Sequence, residues 1–301
     1  MMPGYDLSVI IAVQYAEENL AEILRKLEPG GYQQVEFLFC SAGASPAMAA
    51  MIGRYQNARI VDGQAGSLIP HLWRDGILAA QADKVALGTA HCIPSERWVQ
   101  QLLAADMTSF PGIGGVIGND SASTARDWAV YLLRYISFAP PRQRSEVAEI
   151  AADNALYRRA DIMAQADLLE KGFWEPSFHA RFRDAGHKLL LDPDLQVVHR
   201  NRYSTRQFFG QRLFHGREFG MERAGSLSSS KRLLLIALSP FLPLLFLSKI
   251  VLAVLGKGSF RLRLLVALPW LLLFLLAWGI GEARGYISAR QKVVDNNATA
   301  A

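Results

Sequence analysis

Cysteine is nearly absent. Cys40 and Cys92 are the only two in 301 residues, too few for a disulfide scaffold or a multi-cysteine zinc ribbon. Each closes an apolar run, which predicts buried thiols in a reducing compartment. The chain holds no Walker-type or dinucleotide-type glycine loop, so two familiar phosphate cradles are excluded. It holds no internal repeat. Charge is also sparse: 20% of residues are charged, and 32 Lys+Arg against 27 Asp+Glu leave +5. That balance is far from a histone-like or acidic-tailed protein, and no nucleic-acid partner is expected. A basic leader is missing too. Met-Met-Pro-Gly-Tyr-Asp precedes a strand-length apolar run at 7–13. The expectation is no signal peptide and a cytoplasmic N-terminal part.

What the chain has in excess is hydrophobicity, at 51% of residues, and it is unevenly placed. Residues 233–255 are almost wholly apolar, with Lys249 the only charge, and residues 264–281 carry none. Each run has about the length a bilayer helix needs. Pro240, Pro243 and Lys249 would bend the first run or hold it near the interface. A buried helical hairpin in a soluble protein and a shallow, non-crossing hairpin are the alternatives. Seven basic residues flank the pair (Arg217, Arg223, Lys231, Arg232, Arg284, Arg290, Lys292) against three in the loop (Lys257, Arg261, Arg263). That imbalance favours both ends on the cytoplasmic side of an inner membrane.

The first two hundred residues alternate in period. Strands are expected at 7–13, 35–40, 58–61, 85–87, 113–117 and 195–199. Leu20, Ile23, Leu24 and Leu27 stand at helical spacing, closed by Gly30-Gly31. Further helices are expected at 46–55, at 68–80, and after a Ser95 cap, with Trp98, Val99, Leu102 and Leu103 on the inner side. Such alternation predicts an α/β fold with a mostly parallel sheet. Ligands on these sheets bind beyond the carboxyl ends of the strands.

Several segments, in order, resemble the family-2 glycosyltransferases with the GT-A fold. Val9-Ile-Ile-Ala-Val-Gln-Tyr-Ala-Glu17-Glu18-Asn19-Leu20 is similar to their opening strand and helix, and Val35-Glu-Phe-Leu-Phe-Cys40-Ser41-Ala42-Gly43 to their second strand. Residues 84–98, with Cys92-Ile93-Pro94 and Trp98, resemble the D-x-D segment. Asn154-Ala-Leu-Tyr157-Arg158-Arg159 resembles N-x-x-Y-R-R. Trp174-Glu175 with Arg181 to Gly186 is similar to the E-D helix, and Asp192-Pro193-Asp194 to His199 to the strand closing V-x-H. Gln211-Arg212 to Arg217, the hydrophobic pair, and Trp278 to Tyr286 resemble the tail of membrane-attached members.

The resemblance implies a nucleotide-sugar donor site near Ala12, Ser41, Arg74, Thr89 and His91, with Arg212 on the leaving diphosphate. The polar positions depart from the pattern. Ser41-Ala42 stand where the family has its base-holding Asp, and Thr89-Ala90-His91 replace D-x-D. Glu175 survives as the general base by register, or else is a helix-start Glu favoured by the macrodipole. His91 and His199 are candidate metal ligands, suiting manganese or zinc better than magnesium; the alternatives are ordinary histidines and metal-independent chemistry. Arg200, Arg202, Arg206, Arg212 and Arg217 suit diphosphate oxygens, or lipid headgroups with Phe208, Phe209, Leu213 and Phe214 facing the membrane. Trp73, Trp98 and Trp128 are expected in cores, and Asp192-Pro193-Asp194 in a turn.

The organisation expected is a transferase-like domain at 1–205, a basic interfacial segment at 206–232, two membrane helices at 233–283 and a polar tail at 284–301. The activity expected is transfer of a sugar to a lipid-linked or polysaccharide acceptor at the cytoplasmic face. The alternative is a catalytically degenerate partner subunit in cell-envelope glycan synthesis.

Overall fold

A computed structural model describes residues 4–120, 122–200, 203–225 and 227–298, without the side chains of 222 and 289–298. Arg202, read above on the basic stretch, lies outside the described residues, as do the side chains of the flanking Arg290 and Lys292. Along the chain run β1 (Leu7–Ala12), α1 (Leu20–Leu27), β2 (Val35–Ser41), α2 (Pro46–Ile52), β3 (Ala58–Asp62), α3 (Ile69–Ala79), β4 (Lys84–Thr89), β5 (Cys92–Pro94), α4 (Trp98–Ala104) and β6 (Gly112–Asn119). Then come α5 (Ala125–Tyr135), β7 (Ser145–Val147), β8 (Asn154–Arg158), α6 (Arg159–Met163), α7 (Ala166–Leu169), α8 (Glu175–Asp184) and β9 (Leu189–His199). The last helices are α9 (Thr205–Ala224), α10 (Ser229–Leu238), α11 (Leu242–Lys257) and α12 (Arg261–Ala298).

The chain forms two compact units. The first comprises Met1–Asp120 and Phe138–Asn201, the second Ser121–Ser137 and Arg202–Ala301. Membership of Ser121–Ser137 in the second unit is not visible in any linear reading of the chain.

The first unit is an α/β unit around one mixed sheet, ordered β3-β2-β1-β4-β8-β6-β9-β5, with β7 on β9. β1 is parallel to β2 and β4, and β2 to β3. Both β1 and β2 are buried at every position, as strands covered on two faces must be. The parallel half is what the alternation predicts. In the other half β8 runs antiparallel to β4 and β6, and β5 and β7 antiparallel to β9. Cys40 and Cys92 are both buried thiols, and Trp73 and Trp98 lie inside as expected.

Three local expectations need correction. Ser95 does not cap α4: Arg97 holds the cap position without a side-chain bond, and the Ser95 carbonyl accepts from Trp98 N at 3.2 Å. A backbone turn closes this helix start instead. Helix α1 ends before Gly30-Gly31, because Glu28 itself adopts the left-handed conformation at φ 46°. The Asp192-Pro193-Asp194 turn lies inside β9, where the register with β6 shifts between Gly114 and Val116. The Asp192 carboxylate accepts from Asp194 N at 3.0 Å there, so the turn is a bulge rather than a strand boundary.

Asn154 locks the mixed half together. Its Nδ2 donates to the Val116 and Leu195 carbonyls, both at 3.0 Å, and its Oδ1 accepts from Trp98 Nε1 at 2.8 Å. Gly115 makes this possible, since a Cβ there would stand 2.1 Å from Leu195 O and 2.3 Å from Asn154 Nδ2.

The second unit is helical. A path from Ser229 to Lys257 and a helix from Arg261 to Ser288, 29 and 28 residues, are each long and apolar enough to cross a membrane. The first is interrupted by a tight turn at Ser239–Phe241, where Pro240 falls. Helices α9 and α12 meet backbone to backbone. A Cβ on Gly216 would lie 2.4 Å from Trp278 O, and one on Gly220 2.4 Å from Glu282 O. Reciprocally, a Cβ on Gly281 would lie 2.2 Å from Leu213 O, and one on Gly285 2.2 Å from Arg217 O. Paired Gly-x-x-x-Gly faces of this kind permit the closest helix approach. Phe208 does not face outward: it is fully buried, 4.7 Å from the Phe274 ring. Phe214 is exposed.

Candidate active site

The sheet order reverses at β1, whose neighbours β2 and β4 follow it in sequence on opposite sides. This is the switch point beyond which an α/β sheet leaves a crevice. The strand ends there are Ala12, Ser41 and Thr89. They are tied through the backbone: Ala90 N donates to Ala12 O at 3.0 Å, Val13 N to Cys40 O at 2.8 Å, and Gly63 N to Ser41 O at 2.8 Å. Asn19 braces the same region from the loop after β1. Its Nδ2 donates to the carbonyls of Ala90, at 2.9 Å, and Arg200, at 3.0 Å. The β4–β5 turn carrying His91 is thereby pinned to the end of β9, where Arg200 N donates to His91 O at 2.7 Å.

Two carboxylates stand near Ser41 and Thr89, each from another part of the chain. Asp153, buried just before β8, accepts from Thr89 Oγ1 at 2.9 Å. Asp75, on α3, approaches the end of β2: its Oδ2 would lie 3.6 Å from a Cβ on Gly63, the residue bonded to Ser41 O. Its charge is felt at Cys40, whose thiol is pushed well up by burial first and by Asp75 second. Neither Asp was singled out by the sequence reading. The signal is tertiary, because only the pairing of Gly88 with Asn154 brings Asp153 to Thr89.

Arg74 is engaged locally. Its guanidinium donates to Asp75 Oδ1 at 2.9 and 2.7 Å and to the Glu170 carbonyl at 3.1 Å. Arg200 likewise pairs with Glu22 at 2.5 Å and Asp120 at 2.8 Å. His71, at the start of α3, has its pKa lowered by burial and then by Arg74, so it is neutral at pH 7.

His91 and His199 are both buried and come close across the β5–β9 ladder, since Cys92 pairs with His199. The His91 ring stacks on Tyr15 at 6.3 Å, and His199 Nδ1 lies 3.5 Å from Asn119 Oδ1. Among the described residues no three His, Cys, Asp or Glu side chains converge as a metal site. These side chains do not by themselves fit a protein-built cation centre.

Glu175 opens α8, half-buried. One turn on, His179 is fully buried between Tyr157 Oη, at 3.0 Å, and Glu149 Oε2, at 2.7 Å. Burial, then Glu175 and Glu149, hold the Tyr157 phenol well above its usual range. Arg212 belongs to the second unit, where its guanidinium lies 4.2 Å from the Trp278 ring.

The architecture is a glycosyltransferase-like α/β fold with two C-terminal apolar helices able to form a hairpin. Among solved structures it is similar to the mannosyltransferase PcManGT from Pyrobaculum calidifontis in complex with GDP-Man and Mn2+. The TM-score is 0.55 at 13% identity, covering 93% of this chain and 88% of that one. It is also similar to S. aureus TarS 1-349 in complex with UDP-GlcNAc, with a TM-score of 0.50 at 13% identity, covering 95% and 92%. At this identity the likeness is one of fold. No family model and no curated protein sequence matches the chain.

Proposed function

We propose that this chain is a membrane-attached, inverting glycosyltransferase of the inner membrane, with its sheet unit in the cytoplasm. It takes a nucleotide-diphosphate sugar as donor and a lipid-linked or polysaccharide hydroxyl as acceptor. The observation that carries this reading is the tied set of strand ends at the switch point, Ala12, Ser41 and Thr89, with Asp75 and Asp153 brought beside them. A glycosyltransferase-like fold and neighbours solved with GDP-Man and UDP-GlcNAc support it.

In this reading Asp75 and Ser41 meet the nucleobase end. Asp153 fixes Thr89, and with it the turn that presents His91 to the diphosphate. An imidazole N–H there offsets charge as it develops on the leaving group. Glu175 takes the acceptor proton while the acceptor oxygen bonds to the anomeric carbon and the bond to the diphosphate oxygen breaks.

The test is calorimetry of a nucleoside-diphosphate panel on detergent-purified full chain, with and without Mn2+, Mg2+ and Zn2+. Saturable binding weakened roughly tenfold by His91→Ala is the expected result. Glu175→Gln should keep that binding and lower sugar transfer by about 10² to 10⁴. The second reading, a catalytically degenerate partner subunit, is favoured by the internal engagement of Arg74. Folded protein that binds no nucleotide under any condition establishes it instead.

A further inference from the structure

The helical unit contains a cavity of about 290 Å³ among α5, α9, α11 and α12. Its walls include Phe246, Ile250 and Trp278, and two cations, Arg212 and Lys249, line it with Ser137. Arg212 lies over the Trp278 face, and that indole is fixed by donating Nε1 to Glu282 Oε2 at 2.9 Å. Arg212 Nε is buried with no hydrogen-bond partner. Lys249 Nζ is 5.8 Å from the Phe246 ring. Among the described residues no carboxylate lines the cavity or pairs with either cation. Burial first, then the like charge of Arg134, push the Arg212 guanidinium down to about 9.

Cations in apolar helical surroundings are costly unless matched by an anion. Two cations facing one small cavity match a dianion. The volume is at the small end of ligand pockets, about 300–1,000 Å³. It has room for one headgroup and the first carbons of a chain. We propose that this cavity binds the phosphate end of a single-chain membrane lipid, a phosphate monoester held by Arg212 and Lys249, with its first carbons against Phe246 and Ile250. The inference rests on the membrane placement proposed above and not on sugar transfer.

The experiment uses full-length protein in phosphatidylcholine nanodiscs and dodecyl phosphate as the probe. Dodecanol, dodecylphosphocholine and inorganic phosphate are the comparators, and native mass spectrometry or calorimetry is the readout. Saturable binding of dodecyl phosphate, at least roughly tenfold tighter than any comparator, is expected. Arg212→Gln and Lys249→Gln should each weaken it by a similar factor. Ala253→Phe should abolish it by filling the cavity while both cations remain. Equal binding of dodecanol or dodecylphosphocholine overturns the phosphate assignment. Equal binding of inorganic phosphate makes the site one for a soluble ion and overturns the lipid. Unchanged binding in Lys249→Gln and Ala253→Phe overturns the location, even if Arg212→Gln fails to fold. Nucleotide titration of the same samples reports separately on the sheet unit, so failure of either reading is seen independently of the other.

Discussion

The two units are built for different surroundings. In the sheet unit apolar side chains point inward, and few large ones are left out, Tyr15, Leu78, Trp174 and Val198 among them. The helical unit exposes Leu262 at 72%, Leu252 at 68% and Phe241 at 62%, with many neighbours like them. In water that surface would be an aggregation liability; against lipid tails it costs nothing. Cohesion differs accordingly. The sheet unit is held by buried apolar side chains and by polar side chains that each satisfy backbone groups, as Asn154 and Asn19 do. In the bilayer proposed above, the helical unit would have little hydrophobic drive between its helices and would rely on close backbone approach at glycine.

The sharpest way to break this contrast is Gly285→Leu. Its side chain would meet Arg217 O at 2.2 Å, where only backbone can yield. We expect a loss of about 3 kcal/mol or more, seen as loss of the monodisperse species in detergent. Gly210→Ala, with nothing within 4 Å, should be tolerated and slightly stabilising, by about 0.5–1 kcal/mol of helix propensity. In the sheet unit Asn154→Ala should cost about 2–3 kcal/mol in denaturant unfolding. It leaves the Trp98 N–H and two carbonyls unmatched, and it should spare the helical unit. Thr89→Val should lower nucleotide affinity by about 1 kcal/mol, roughly fivefold, in calorimetry.

The smallest effect is a pH dependence confined to the sheet unit. Burial raises the Glu149 pKa, but His179 and Arg183 outweigh it, and the folded value lies below 4.5. A depressed carboxylate pKa contributes stability above the unfolded value, and that contribution is lost as pH falls through the folded value. Glu149→Gln should therefore flatten the loss of unfolding midpoint on acidification below pH 4.5, with little change at pH 7. An unaltered acid limb would show that the carboxylate adds nothing there.

Much of the fold is legible in the sequence. The fully buried runs at β1 and β2 announce themselves by composition, and Leu20, Ile23, Leu24 and Leu27 form the inner face of α1. The helical pair was legible from length and lack of charge. What was hidden depends on partners distant in sequence. Asp153 matters through Thr89, a relation with no local signature, whereas Gly216-x-x-x-Gly220 is a local motif whose partner on α12 only the structure shows. Phe208 reads as an outward aromatic on a basic segment, yet Phe274 covers it. Ser95 is a good cap residue in a place where the chain closes its turn through its own carbonyl.

One ladder on α12 carries its own consequence. The Glu282 carboxylate is buried, and it accepts from Trp278 Nε1 at 2.9 Å one turn before and from Tyr286 Oη at 2.8 Å one turn after. Both donors travel on the same helix. A segment that brings its acid already hydrogen-bonded faces a lower barrier to entering a bilayer by itself, before any other helix is in place. Biogenesis could then proceed with α12 inserted as an independent stave and α9 docking afterwards. Translocon insertion of isolated 261–288 should weaken when Trp278 and Tyr286 are both replaced by Leu despite the added hydrophobicity, and undiminished insertion would refute that order.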